Sequence, residues 1–211
     1  PSNSYIYLYG NMDMEEKLAF LDEHYLSHFD YLDVDSVIQE QKAFGACQDV
    51  TLEYPVAENE GEEDNTYLSY NMVVGNAADS QMAMAFEVLD YALLSAPGAP
   101  LKQALLDVKA GKDVYGSYDD GILQPYFTVI AKGSNPDRKE EFVSVIRQVL
   151  GDIVKNGIDK KAVEAGINYF EFRYREADFS SYPKGLMYGL DIIGTWLFDE
   201  NEPFAQVKLL D

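Results

Sequence analysis

Cysteine is nearly absent from this sequence. Cys47 stands alone among 211 residues, which excludes an internal disulfide framework and a CxxC metal knuckle. As a nucleophile it would need a lowered pKa and a histidine base, and its neighbours in sequence supply neither. The plainer reading is a buried or incidental thiol. Histidine is almost as scarce, with two residues, and 16 Lys and Arg stand against 37 Asp and Glu for a net charge of −21. That balance excludes nucleic acid and anionic membrane surfaces as partners, because both demand a basic face. Cationic peptides would suit it, although many soluble proteins are acidic without such a partner. No apolar run approaches the roughly 18 residues of a membrane span. The N-terminus lacks the basic and apolar regions of a secretory signal. These absences set the expectation of a cytoplasmic protein. The chain also starts at Pro1 without a methionine, and the expectation is a piece of something longer.

What is present is core-forming material. Hydrophobic residues make up 47%, aromatics 13%, with 16 Tyr and 11 Phe, a supply suited to sheet faces and helix–sheet packing. The length allows one large domain, or one domain and a fragment of another. Ser4–Tyr9 alternates, Ile6 and Leu8 to one side and Tyr5, Tyr7 and Tyr9 to the other, and reads as a strand. Asp13 and Glu16 form a capping-box start for a helix striped by Leu18, Leu21, Tyr25 and Phe29. Periodicity then fades from Asp30. Asp30–Gln48 reads as a linker, Val50–Val56 as a strand closed by Pro55, and Glu58–Asp64 as an exposed acidic loop.

Regular patterns return at Thr66–Gly75, a strand with Leu68, Tyr70, Met72 and Val74 on one face. Asp79 caps a helix with Met82, Phe86, Leu89 and Leu93 as its buried stripe, stopped by Ala96-Pro97-Gly98. Pro100 opens a short helix to Asp107. Strands follow near Asp113–Tyr118 and Tyr126–Lys132, with Asp119-Asp120-Gly121 turning between them. A helix with Phe142, Ile146, Val149 and Ile153 inward ends at Asn156-Gly157. Its short connection to an Asp159-capped helix predicts an antiparallel pair. That next helix presents Val163, Ile167, Phe170 and Tyr174. After a Ser/Tyr/Pro turn, a last helix presents Leu186, Leu190, Ile193 and Leu197. Strands adjacent in sequence, with helices gathered after them, predict an α+β fold with a mainly antiparallel sheet and helices layered on one face.

Candidate chemistry is sparse. His24 and His28 lie four apart on a helix, a spacing that can bring two imidazoles to one metal. The inverted zinc motif H-x-x-E-H would need Glu at position 27, where Ser27 stands, so the plainer reading is two helix-end histidines. Glu171, Arg173, Arg175, Glu176 and Asp178 cluster at and beyond the end of the Asp159 helix. Arg173 and Arg175 are the candidates for a peptide-carboxylate clamp, since guanidinium offers a fork of donors. A solvated helix end with local ion pairs is the plainer reading. Gly185 and Gly189, one turn apart, predict close approach of a neighbour. Gly111, Gly116, Gly121 and Gly133 fall at turns and offer no phosphate cradle. There is no G-x-S-x-G elbow.

Five strings in order, PSNSYIYLYGN, TYLSYNMVVG, LLSAPGAPLKQALLD, GILQPYFTVIAKG and NYFEFRYRE…SYPKGLMYGLDIIGTWLFD…PF, give the chain a resemblance to the pitrilysin/insulinase family of zinc metallopeptidases, on the presequence-protease-like branch. The resemblance implies a processing-peptidase-like metallohydrolase domain, a two-layer helix/sheet sandwich. Such proteins resemble one another in having four homologous α+β domains around a closed chamber, with the zinc helix in the first. The resemblance therefore implies that residues 1–29 are the strand–helix tail of a preceding, catalytic-type domain. Residues 30–64 become linker and acidic loop, and residues 65–211 a non-catalytic domain cut short at its C-terminus. It implies no cofactor in this chain and zinc in its parent, with the parent's other domains and unfolded peptides as partners. The alternative is a standalone, catalytically inactive scaffold or binding module of the same fold. The segment Leu106–Gly111 departs from the family pattern, which is richer in glycine there.

Overall fold

The computed structural model describes residues 1–57, 59, 61–176 and 179–209. Glu58 and Glu60 of the expected acidic loop, and Asp178 of the expected cluster, lie outside the described residues.

Three strands form one antiparallel sheet, β1 (Thr66–Val73), β2 (Asp113–Asp119) and β3 (Tyr126–Ser134), in the order β1-β3-β2. β3 is central because it is the most apolar of the three. It pairs Val129 with Tyr70 on one side and with Gly116 on the other. Leu68, Val114, Phe127, Val129 and Ala131 face inward and are buried, the alternation a half-buried sheet requires.

Helices α2 (Ser80–Asp90), α3 (Pro100–Asp107) and α4 (Lys139–Asn156) cover this face. The Asp79 carboxylate accepts from the Met82 amide at 2.9 Å and starts α2, satisfying a donor that the helix itself leaves open. Pro100 stands in the first turn of α3. In α4 the expected stripe holds: Phe142 and Ile146 are buried and Val149 and Ile153 pack against the core. Gly157 ends it with φ +87°, a conformation that glycine adopts without a Cβ penalty.

α3 ends in Leu106–Gly111, the segment expected to be richer in glycine. The Ala110 amide donates to Leu105 O and the Lys109 amide to Leu106 O, each at 2.9 Å. This is a Schellman end, and its left-handed position is taken by Lys109 at φ +54°.

The α2 stripe is rotated from its expected face. Ala83 and Val88 are buried and Met82 is exposed. Two partners explain this. Phe86 meets Tyr118 and Phe127 of the sheet, while Val88 meets Gly166 of α5 (Lys160–Arg175). α2 is thus clasped from two sides. Its end widens into a π turn at Tyr91–Ser95, closed by the Ala96 amide on Tyr91 O at 2.7 Å. The wide turn sends Ala92, Leu93 and Leu94 inward in succession, which a 3.6-residue period does not allow.

α5 packs on α2 and this π turn, with Tyr169 stacked on Tyr91 at 5.0 Å; the antiparallel pairing with α4 is not formed. Gly166 and Phe170 are buried while Ile167 is 50% exposed. The smallest residue faces α2 because Val88 and Tyr91 leave no room for a larger one.

α6 (Lys184–Phe198) and α7 (Ala205–Lys208) are the last elements among the described residues. The buried residues of α6 are Gly189 and Thr195, and Leu190 and Leu197 are exposed. α5 and α6 meet at their facing ends, where Tyr188 donates to Tyr174 O at 2.6 Å and Phe179 sits edge-on between the two rings.

Before Asp64 no described residue is buried. α1 (Met14–His24) is capped as expected, Asp13 accepting from the Glu16 amide at 3.1 Å. Yet Leu18, Tyr25 and Phe29 of its stripe are exposed. Val50–Val56 forms no strand, and neither does Ser4–Tyr9. The alternation of Ser4–Tyr9 is used otherwise: its tyrosines lie along α6. A Cβ on Gly185 would fall within the Tyr9 ring, and one on Gly189 within the Tyr7 ring. Tyr7 donates to Gly185 O at 2.5 Å, and Tyr5 meets Trp196 edge-on at 4.9 Å. The glycines do mark a close approach, by a tyrosine strap. Gly189→Leu is expected to lift that strap and quicken proteolytic clipping within the first ten residues several-fold, leaving far-UV circular dichroism unchanged. An unchanged clipping rate would contradict the strap.

Candidate functional site

The residues singled out in sequence are dispersed. Arg175 Nε pairs with Glu171 at 2.8 Å, one turn apart and both side chains exposed, the geometry of a helix-end ion pair worth little in solvent. The His24 ring lies tilted against Phe20 at 4.7 Å at the end of α1, and His28 sits in a short turn beyond it; both are exposed. Among the described residues no group of three His, Cys, Asp or Glu side chains is placed to hold a metal ion. Cys47 is exposed rather than buried, because the segment carrying it lies outside the core.

Arg173 leads elsewhere. Its charge acts on Glu87, Tyr174 and Asp191. These belong to a junction of carboxylates from three parts of the chain: Glu87 and Asp90 on α2, Asp120 in the β2–β3 turn, and Asp191 on α6. Glu87 and Asp90 are three apart, hence on one helix face. Glu87 Oε2, Asp90 Oδ1 and the Tyr118 hydroxyl are buried without a hydrogen-bond partner. Asp90 Oδ2 accepts from Ser95 at 3.1 Å. A side chain at Gly116 would strike Asp90 and Leu94, so the bare backbone there admits the Asp90 carboxylate.

Electrostatics follow from the burial. The Glu87 carboxyl is pushed up to about 7, first by loss of solvent, then by the Asp120 charge, against the pull of Arg173; Asp191 and Asp90 push it further up. Burial also raises Asp90, Asp120 and Asp191. The Tyr118 hydroxyl rises to about 12, again chiefly by burial and then by Asp120. Tyr174 is raised for the same first reason, with Glu87 next. Solvent loss disfavours the charged form of each acid, and like charges add to it. The arrangement can hold and release a proton near neutrality. It has no nucleophile activated by a base.

Residues 1–170 match the family described as the Peptidase M16 inactive domain. The chain belongs to that family. Its sequence relatives agree. It is 44% identical over 208 residues to Protein HypA of Clostridium perfringens, and 31% identical over 212 residues to presequence protease 1 of Arabidopsis thaliana; each match covers 99% of this chain. The mitochondrial presequence protease of Xenopus laevis is 24% identical over 216 residues. The chain spans about a fifth of the length of these curated relatives, between 19% and 21%. An inactive peptidase domain from Bordetella parapertussis superposes with a TM-score of 0.55 at 13% identity, over 68% of this chain and 76% of that one. A protease from Helicobacter pylori superposes with 0.54 at 16% identity, over 96% and 48%. Both show the shared fold.

M16 peptidases of the pitrilysin/insulinase type are zinc enzymes, and the described residues of this M16 domain do not fit a zinc ion. Ser27 stands where the inverted motif has its acid. The buried carboxylates lie without histidine among them. Sequence reasoning reached Arg173 and missed the junction it faces. A signal was present: after Lys184, Asp191 is the sole charged residue of α6. A lone carboxylate in an apolar helix needs an explanation. Its partners in charge, Asp120 and Arg173, stand on other elements of the chain, and no local rule connects them to α6.

Proposed function

We propose that this chain is a non-catalytic wall of a zinc-dependent peptidase that encloses unfolded peptides. The match of residues 1–170 to an inactive peptidase domain carries this reading, and relatives named presequence protease support it. In the proposed arrangement residues 1–29 close a preceding catalytic-type domain, residues 30–64 link it to this one, and residues 65–211 form the wall. Zinc and the general base come from the parent's catalytic domain, where a metal-activated water attacks the peptide carbonyl. The exposed apolar residues between positions 14 and 56, Leu18, Phe29, Tyr31, Val37 and Leu52 among them, are surface for the parent's other domains. The net charge of −21 favours cationic peptides as the substrates steered inward. Arg173 is the proposed contact for a peptide carboxylate in this wall, and Arg175 the second.

The test is direct. The 211-residue chain, supplied with zinc, leaves a quenched unfolded peptide uncleaved. Cleavage that a chelator abolishes would overturn the reading.

A further inference from the structure

Val50–Val56 has the alternation of a strand and forms none, yet the segment leading through it is pinned along β1. One pin stands where β1 finishes. The Gln124 side-chain amide accepts from the Gln41 amide at 2.6 Å and donates to Gln41 O at 3.1 Å, the pair of bonds that a neighbouring strand would supply. Asn76 donates to Glu40 Oε1 beside it at 3.1 Å. Another pin stands where β1 begins: Tyr54 donates to Asn65 O, and its ring meets Tyr67 edge-on at 5.9 Å. Between them Lys139 of α4 pairs with Asp49. Residues 41–54 therefore run beside β1 in the opposite direction, and a bend at Gly45 and Ala46 takes up the surplus length. We infer that Val50–Val56 closes on the free edge of β1 as an added antiparallel strand and guards that edge. This inference stands apart from the peptidase reading, since both partners lie in this chain.

The register follows from the sheet. β1 is an edge strand paired with β3 alone. The Val74 amide donates to Pro125 O at 2.8 Å, and Tyr70 lies opposite Val129. Bonded positions recur every second residue in an antiparallel ladder, so the amides of Ser69 and Asn71 point to the free edge. Tyr54 beside Tyr67 sets Leu52 opposite Ser69 and Val50 opposite Asn71. Val50, Leu52 and Tyr54 then share the face that carries Tyr67, Ile130 and Tyr115. Thr51 and Glu53 turn the other way, towards a cleft of about 660 Å³ lined by Asp49, Lys139, Ser144 and Arg147. Lys139 and Arg147 there favour the Glu53 carboxylate. Pro55 supports the same register. It has no N–H, and it falls among the positions that point away from β1, where an edge strand tolerates proline. The closed segment thus covers the β1 edge and offers a poor template to a further strand.

Residue-resolved hydrogen exchange on the full chain tests this. The amides of Val50, Leu52, Ser69 and Asn71 are expected to exchange at least about tenfold more slowly than those of Thr51 and Glu53. Leu52→Pro removes one donor from the added ladder. It is expected to bring Ser69 and Asn71 to the rate of the Glu53 amide, while the Val129 amide of β3 stays protected. Glu53→Lys sets a further cation against Lys139 and Arg147 and is expected to quicken Ser69 and Asn71 several-fold. Unprotected Ser69 and Asn71 amides in the unmodified chain overturn the inference. So does protection of these two that survives Leu52→Pro. Should Leu52→Pro fail to fold, as read by loss of protection at Val129, Glu53→Lys decides, and unchanged rates at Ser69 and Asn71 in that variant overturn the inference.

Discussion

Glu87→Gln makes the chain more stable at pH 8, by on the order of 2–3 kcal/mol, and changes it little at pH 5. The sign comes from linkage. The Glu87 carboxyl sits at about 7 in the folded chain against an ordinary value of 4.5, so between those two the folded state binds more protons than the unfolded. Stability present below pH 4.5 is therefore lost as pH rises through 7. One pKa unit corresponds to about 1.4 kcal/mol, and the solvent contact that Glu87 retains brings the total below the full product. Glutamine keeps the shape and never ionises, so it escapes the loss. Asp90, Asp120 and Asp191 are raised as well and add in the same direction, so the unmodified chain weakens towards alkaline pH. Urea unfolding at pH 5 and pH 8 measures this. A variant weaker than the parent sequence at pH 8 would contradict the buried junction.

The second large effect separates two residues that the helical period treats alike. Phe142→Ala costs about 3–5 kcal/mol, the usual loss for a large side chain removed from a packed core. Phe142 is 1% exposed and lies among Leu101, Leu105 and Ile146. Ile167→Ala costs less than about 1 kcal/mol, because Ile167 is half exposed and leaves no cavity. Both were expected on the buried stripe of their helix. Denaturant midpoints for the pair decide the matter. Equal losses would mean that α5 buries the face its periodicity suggests rather than the face that carries Gly166.

That contrast shows where the sequence was legible. α4 has one partner layer, so its 3.6-residue stripe and its buried face coincide. The caps Asp13, Asp79 and Asp159 were readable because a side-chain oxygen on a helix-start amide is a local device. α2 and α5 depart from their periodic stripes because each rotates to serve a neighbour: α2 lies between sheet and α5, and α5 turns its smallest residue inward. The Ser4–Tyr9 alternation predicts a strand, and the structure forms none there. Its tyrosines meet glycines on a helix 178 residues further on, and no local rule connects them. The acidic junction was illegible for the same reason. Glu87, Asp120 and Asp191 look like ordinary surface acids until the fold brings their elements together. The family strings carry more than the periods do, since they point to a non-catalytic peptidase domain independently of packing.

The most direct measurement is the zinc content of the purified 211-residue chain after dialysis against zinc and then buffer, read by native mass spectrometry. The expected result is the mass of the bare polypeptide with no zinc adduct, and likewise no zinc adduct when His24 and His28 are both replaced by alanine. One zinc per chain, lost in that double variant, would mean that the wall domain carries a metal centre of its own and would contradict the account.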